Sequence, residues 1–141
     1  MKIKYIDEDI FDIYIIKDKI INVDFNNDKA LEKYLKKLFK VLKDDYSVNI
    51  EGFYDVVIYI DKYYGIVIHM EKENLDYYNY YKEVDMRISI KNSTFLYQVD
   101  DYIKNKKIHI INNNMYLEIT NPSDLIYIIE NSNSILYNYS K

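Results

Sequence analysis

Two glycines, Gly52 and Gly65, and one proline, Pro122, are all the backbone punctuation in this chain of 141 residues. Glycine takes positive φ at no steric cost, and asparagine and aspartate take it at a modest one. Most tight reversals here must therefore fall to asparagine, aspartate, serine and lysine. The same scarcity excludes a chemistry. A P-loop or a dinucleotide-binding fingerprint needs several glycines in one short loop, and this chain can assemble neither.

Between those reversals the chain is rich in isoleucine and tyrosine. An apolar fraction of 49% with 30% charged residues is that of a folded globular domain rather than a disordered one. A chain of this length can bury one core. We read a single α+β domain over residues 1–141, with residues 72–85 as the one place where it would subdivide. The 18 tyrosines have a plain origin. Isoleucine, asparagine, lysine and tyrosine have codons rich in A and T. Ala30 and Arg87 stand alone in their residue types. A low-GC organism produces that bias without any tyrosine-based function.

Cysteine is absent, which excludes disulfides, thiolate nucleophiles and cysteine zinc sites. The N-terminal stretch MKIKYIDEDIFDIYII carries acids where a secretory signal needs a basic region and an unbroken apolar one. Apolar runs such as Val56–Ile60 are far shorter than the roughly 18 residues of a membrane helix. A cytoplasmic protein without membrane association is expected.

Residues Lys2 to Asp24 read as strands, with Ile16–Ile20 (IKDKI) as a polar turn joining two of them. Leu31, Tyr34, Leu35, Leu38, Phe39 and Leu42 recur at three- and four-residue spacing and predict a helix. Asn26, Asn27 or Asp28 is its N-cap. VVIYI and IVIHM then read as central strands around the loop DKYYG, and Gly52 marks a bend. Leu75 and Tyr78 at helical spacing predict a short tyrosine-rich helix after Asn74. MRISI and TFLYQV flank KNS, and KIHII and MYLEI flank NNN, as two hairpin candidates. Asn121, Pro122 and Asp124 open a second clear helix. SILYNYSK closes the chain as a strand. Short turns between strands predict mostly antiparallel sheets with two clear helices and the short tyrosine-rich one.

His69 and His109 are the only histidines, both inside predicted strands. Pairing of distant strands would let them share a metal with Glu71 or Glu118. No HExxH spacing supports that, and two separate histidines, each with one hydrogen bond, is the stronger expectation. No serine stands in a G-x-S-x-G context, and the acidic pairs Asp44–Asp45 and Asp100–Asp101 read as solvated turns. No catalytic residue, metal or cofactor is assigned. Interleaved lysine and tyrosine fit single-stranded nucleic acid. A net charge of -4 and a pI of 5.2 argue against that partner.

What remains is a protein partner or a homo-oligomer. Tyrosine suits interface cores, offering area with few rotors and a polar tip. Tyr77, Tyr78, Tyr80 and Tyr81 in NLDYYNYYKEVD cannot all face one small core, and they are the expected partner-binding residues. The alternative is a small-ligand-binding domain or enzyme with dispersed residues around His69 and His109.

MKIKYIDED, the aromatic-then-EG stretch DYSVNIEGFYDVV and the following hairpin give a pattern. So do FLYQVDDYI and KIHIINNNMYLEI. Together they resemble the MecA-type adaptors of low-GC Gram-positive bacteria, which deliver substrates to a Clp unfoldase. The chain is shorter than that family. Phe53, Tyr54 and Asp55 stand where the family has Pro-Leu-Trp after EG, and its acidic central region is missing. The resemblance implies an adaptor role and carries over no functional residue.

Overall fold

The computed structural model describes residues 1–20, 23–73, 84–100, 106–132 and 134–139. The element order is β1 (Lys2–Asp7), β2 (Ile10–Ile16), α1 (Asp28–Tyr46), β3 (Gly52–Ile60), β4 (Gly65–Glu73), β5 (Val84–Asn92) and β6 (Leu96–Val99). Then follow β7 (Lys107–Ile111), β8 (Asn114–Glu118), α2 (Leu125–Asn131) and β9 (Ser134–Leu136). The fold is α+β. A five-stranded sheet has the order β1-β2-β4-β3-β5, and a four-stranded sheet has the order β7-β8-β6-β9. All neighbours are antiparallel except β3 and β5, which run parallel. Among the described residues no helix is long and apolar enough to cross a membrane.

Strand alternation sorts the side chains into three layers. Phe11, Ile13 and Ile15 of β2, Val56 and Ile58 of β3, and Ile66, Ile68 and Met70 of β4 pack against α1. From the helix, Leu31, Leu35, Phe39 and Leu42 meet them. Burying each such side chain stabilises the fold by about 1.5–3 kcal/mol. Tyr14 of β2 and Val67 of β4 point the other way, toward Phe95 just before β6, Tyr97, Val99 and Leu117 of the smaller sheet and Ile128 of α2. The larger sheet is thus sandwiched between α1 and the smaller sheet. That explains why apolar residues occupy both faces of β2 and β4.

Capping follows the expected chemistry. Asn27 Oδ1 accepts from Ala30 N at 3.1 Å and starts α1. Ser47, at φ 56°, ends it in the left-handed region, and Val48 N returns to Leu42 O. Asn121 Oδ1 accepts from Ser123 N at 3.1 Å, ahead of a 3-10 turn at Pro122–Asp124 that leads into α2. The β7–β8 hairpin turns on Asn112 and Asn113, with φ of 51° and 66°. These are the two positive angles that a tight two-residue reversal requires.

Two expectations are corrected. IKDKI does not join two strands. It ends β2 in a 3-10 turn at Lys17–Lys19, and the β1–β2 hairpin turns at Glu8–Asp9. Nor do MRISI and TFLYQV form a hairpin, because β5 and β6 belong to different sheets. Ser93 N donates to Ile60 O at 2.9 Å, and Phe95 N donates to Asp61 Oδ1 at 2.9 Å. Those bonds divert the chain from one sheet to the other. Asp61 also accepts from Tyr63 N and Tyr64 N, both at 2.8 Å, so this buried carboxylate is held by three backbone donors. The segment expected to form the short tyrosine-rich helix lies outside the described residues.

Candidate functional site

β2 reads IFDIYII, and its one acid is the point of interest. Alternation turns Asp12 away from α1, toward the smaller sheet. Asp12 and His69 are direct cross-strand partners between β2 and β4, so the register itself places the two side chains together. His69 Nδ1 lies 2.6 Å from Asp12 Oδ1. A carboxylate only accepts, which puts the shared proton on Nδ1. The Tyr137 hydroxyl, just past β9, donates to Asp12 Oδ2 at 2.6 Å and lies 3.4 Å from His69 Nδ1. Asp12 is 1% exposed, and both of its oxygens are engaged. That satisfies the rule for a buried charge.

On the other side of the ring, His69 Nε2 lies 3.4 Å from Glu71 Oε1, whose side chain is half exposed. The two carboxylates bracket the imidazole from opposite edges instead of converging on a common point. Accordingly, no metal-holding group of three histidine, cysteine or acidic residues occurs among the described residues. Tyr14 and Tyr59 pack their rings on Tyr137, with centroids 6.2 Å and 5.0 Å away.

The bond to Asp12 raises the His69 pKa above its ordinary 6.5; burial opposes the rise and Glu71 adds to it. Burial, followed by the bond to Asp12, pushes the Tyr137 hydroxyl well above its usual range, so it remains a donor. A histidine that holds its proton more tightly when folded stabilises the fold fully below its unfolded pKa near 6.5. That contribution is lost as pH rises through the raised folded value. The urea midpoint should therefore decline from about pH 6.5 upward, and His69→Gln should flatten that decline. An equal slope in the variant would exclude His69 as the source.

His109 sits elsewhere. Its Nε2 lies 3.2 Å from Glu118 Oε2, which Lys107 Nζ also approaches at 3.0 Å, and its ring meets Tyr139 at 5.9 Å. No hydrogen bond or ion pair joins the two histidines among the described residues. Each has its own carboxylate, in a different sheet. A cleft of about 740 Å³ beside Tyr59, Ser93 and Tyr139 is lined by neither histidine.

Tyr77, Tyr78, Tyr80 and Tyr81 lie outside the described residues. The described surface offers a different apolar feature. β1 is an edge strand, and its consecutive residues Tyr5 and Ile6 are 60% and 53% exposed. At the opposite edge, Arg87 of β5 is tied down. Its guanidinium donates to both oxygens of Asp55, at 2.6 and 2.9 Å, and to Glu73 at 2.6 Å, over the Phe53 ring. The Arg87 bond holds the Asp55 carboxyl below its usual range.

Sequence reasoning missed Asp12 and Tyr137. An acid enclosed by apolar neighbours in IFDIYII was a usable signal for the first, since a buried carboxylate must have a partner. Nothing in SILYNYSK distinguished Tyr137 from Tyr139. The chain matches no protein-family model, no curated protein and no solved structure.

Proposed function

We propose that this protein is a non-enzymatic interaction module that docks another protein chain along the open edge of β1. The observation that carries this reading is the exposed pair Tyr5–Ile6 on a strand whose outer edge pairs with no other strand among the described residues. An added strand gains backbone hydrogen bonds there, and side chains on both faces supply specificity. The β1–β2 register shifts between Tyr5 and Asp7, and the irregularity there presents Ile6 beside Tyr5 to an incoming strand. Lys2 and Lys4 on the same strand favour an acidic partner segment. An adaptor role, as the MecA-type resemblance implies, and self-association by sheet extension are two forms of this one reading. Tyr77, Tyr78, Tyr80 and Tyr81 are a second proposed contact.

The variant Tyr5→Ser/Ile6→Lys should keep its thermal midpoint while losing partner capture from the native host. Any self-association, followed by sedimentation, should weaken at least about tenfold, one hot-spot contact's worth. Unchanged partners and unchanged mass in a folded variant would refute the β1 edge as the docking site.

A second reading draws on the Asp12–His69–Tyr137 cluster. An imidazole oriented by a buried carboxylate has the arrangement of a general base. Neither the cleft beside Tyr59 nor the one between β1 and the end of α2 is lined by His69.

A further inference from the structure

Two tyrosine hydroxyls between the layers have no hydrogen-bond partner among the described residues. Tyr14 is 8% exposed and Tyr64 is 6% exposed. The Tyr97 hydroxyl also lacks a partner among the described residues and is fully enclosed, whereas those of Tyr14 and Tyr64 are not sealed off in that way. Both rings line a cleft of about 450 Å³ between β1 and the end of α2 with β9. Lys2 and Lys4 form another wall of the same cleft. Lys2 stands directly opposite Tyr14 in the β1–β2 pairing. Neither lysine takes part in an ion pair among the described residues. Ile129 and Ile135 give the cleft an apolar side.

The remaining hydroxyls of the cleft are already committed. Ser132 Oγ donates to Ile129 O at 3.3 Å, and Ser134 Oγ donates to Gln98 Oε1 at 2.8 Å. Burial first, then Asp12 and Tyr64, push the Tyr14 hydroxyl up to about 12, and burial raises Tyr64 as well. Both therefore stay protonated and act as donors at neutral pH. Asp12, whose charge acts on Tyr14, has its two oxygens engaged by His69 and Tyr137, and Asp61 is held by three backbone donors. Two donors, two ammonium groups and an aliphatic wall make a site of defined chemistry.

We propose that this cleft binds a small organic carboxylate with an aliphatic body. The carboxylate accepts one hydrogen bond from each tyrosine hydroxyl, Lys2 and Lys4 supply the opposite charge, and the body lies on Ile129 and Ile135. Two donors match the two oxygens of a carboxylate, and the isoleucines favour an alkyl chain over a bare inorganic anion. The site shares Lys2 and Lys4 with the proposed docking edge, but its hydrogen-bond donors, Tyr14 and Tyr64, are buried behind that edge.

Sodium hexanoate, titrated against protein carrying ¹³C-labelled tyrosine and followed by NMR, tests this directly. Saturable shifts of the Tyr14 and Tyr64 ring resonances are expected, and butanoate should bind more weakly than hexanoate. Tyr14→Phe/Tyr64→Phe keeps both rings and should weaken hexanoate at least tenfold. Lys2→Gln/Lys4→Gln, placed on an exposed edge strand, should weaken it similarly and remove most of its salt dependence. The proposal fails if no saturable shift occurs into the millimolar range, or if hexylammonium binds as well as hexanoate. It also fails if inorganic phosphate binds as well as hexanoate, or if either double variant binds hexanoate like the wild type.

Discussion

Gly65→Ala is expected to destabilise the protein by about 3–5 kcal/mol, combining backbone strain with a forced shift of a neighbouring strand. Gly65 opens β4 with φ at 130°, a region that side-chain-bearing residues rarely enter. A Cβ there would stand 2.6 Å from Lys17 N and 2.9 Å from the Ile16 carbonyl carbon, and closer still to Ile15 O. All three atoms are backbone, and they cannot swing aside as a side-chain tip would. They are also held. Ile16 pairs with Gly65 in the sheet, Lys17 N donates to Tyr64 O at 2.7 Å, and Asp61 N donates to Gly65 O at 2.9 Å. Relief must therefore break the junction of β2 and β4 at the centre of the larger sheet. Urea denaturation would show the loss, and Asn113→Gly provides the contrast. At φ 66° in an exposed turn, that change should leave the midpoint nearly unmoved. A Gly65→Ala protein within about 1 kcal/mol of wild type, the ordinary cost of a point change, would mean that the β2–β4 junction yields more easily than its hydrogen bonds imply.

Asp12→Ala should be nearly as damaging, by about 3–5 kcal/mol, the cost of removing one member of a buried charged pair. The substitution leaves the Tyr137 hydroxyl without its acceptor and His69 Nδ1 without its partner. Tyr137→Phe removes one bond to a charged group and should cost about 1.5–3 kcal/mol. Loss of Asp12 should also return the His69 pKa toward its ordinary value, because the Asp12 bond is the largest contribution to its rise. Both effects can be read on one protein, by urea denaturation and by NMR titration of the imidazole. A double-mutant cycle between Asp12→Ala and Tyr137→Phe separates the network from simple loss of packing. Strict additivity would show that the two groups do not act together.

These sites differ in how well they can be read from residues alone. Helix α1 was legible because its stripe, its Asn27 cap and its lysine flank all lie within one window of the chain. The β7–β8 hairpin was legible because Asn112 and Asn113 carry their own turn chemistry. The Asn92–Ser93–Thr94 turn misled for the opposite reason. Its composition suits a hairpin, but Ser93 and Phe95 are drawn off by Ile60 and Asp61, some thirty positions earlier. No local window contains that competition. The parallel pairing of β3 with β5 across a returning strand is likewise a property of the assembled sheet. For the candidate site, His69 was identifiable as one of two histidines. Its environment depended on Asp12 and Tyr137, which only the packing of three distant strands brings into reach.

That dependence has a consequence for the order in which the molecule acquires its contacts. Tyr137 and Asp12 are separated by 125 residues along the chain. During synthesis the β1–β2 hairpin, α1 and the β3–β4 hairpin all leave the ribosome while the phenol that completes the Asp12 cluster has yet to be made. Closing so long a loop carries an entropic cost that local hairpins avoid, and such distant pairings slow folding. The carboxylate must therefore wait in water, or rest on His69 alone, until Tyr137 arrives. Its full desolvation must follow the synthesis of both hairpins of the larger sheet and of Tyr137.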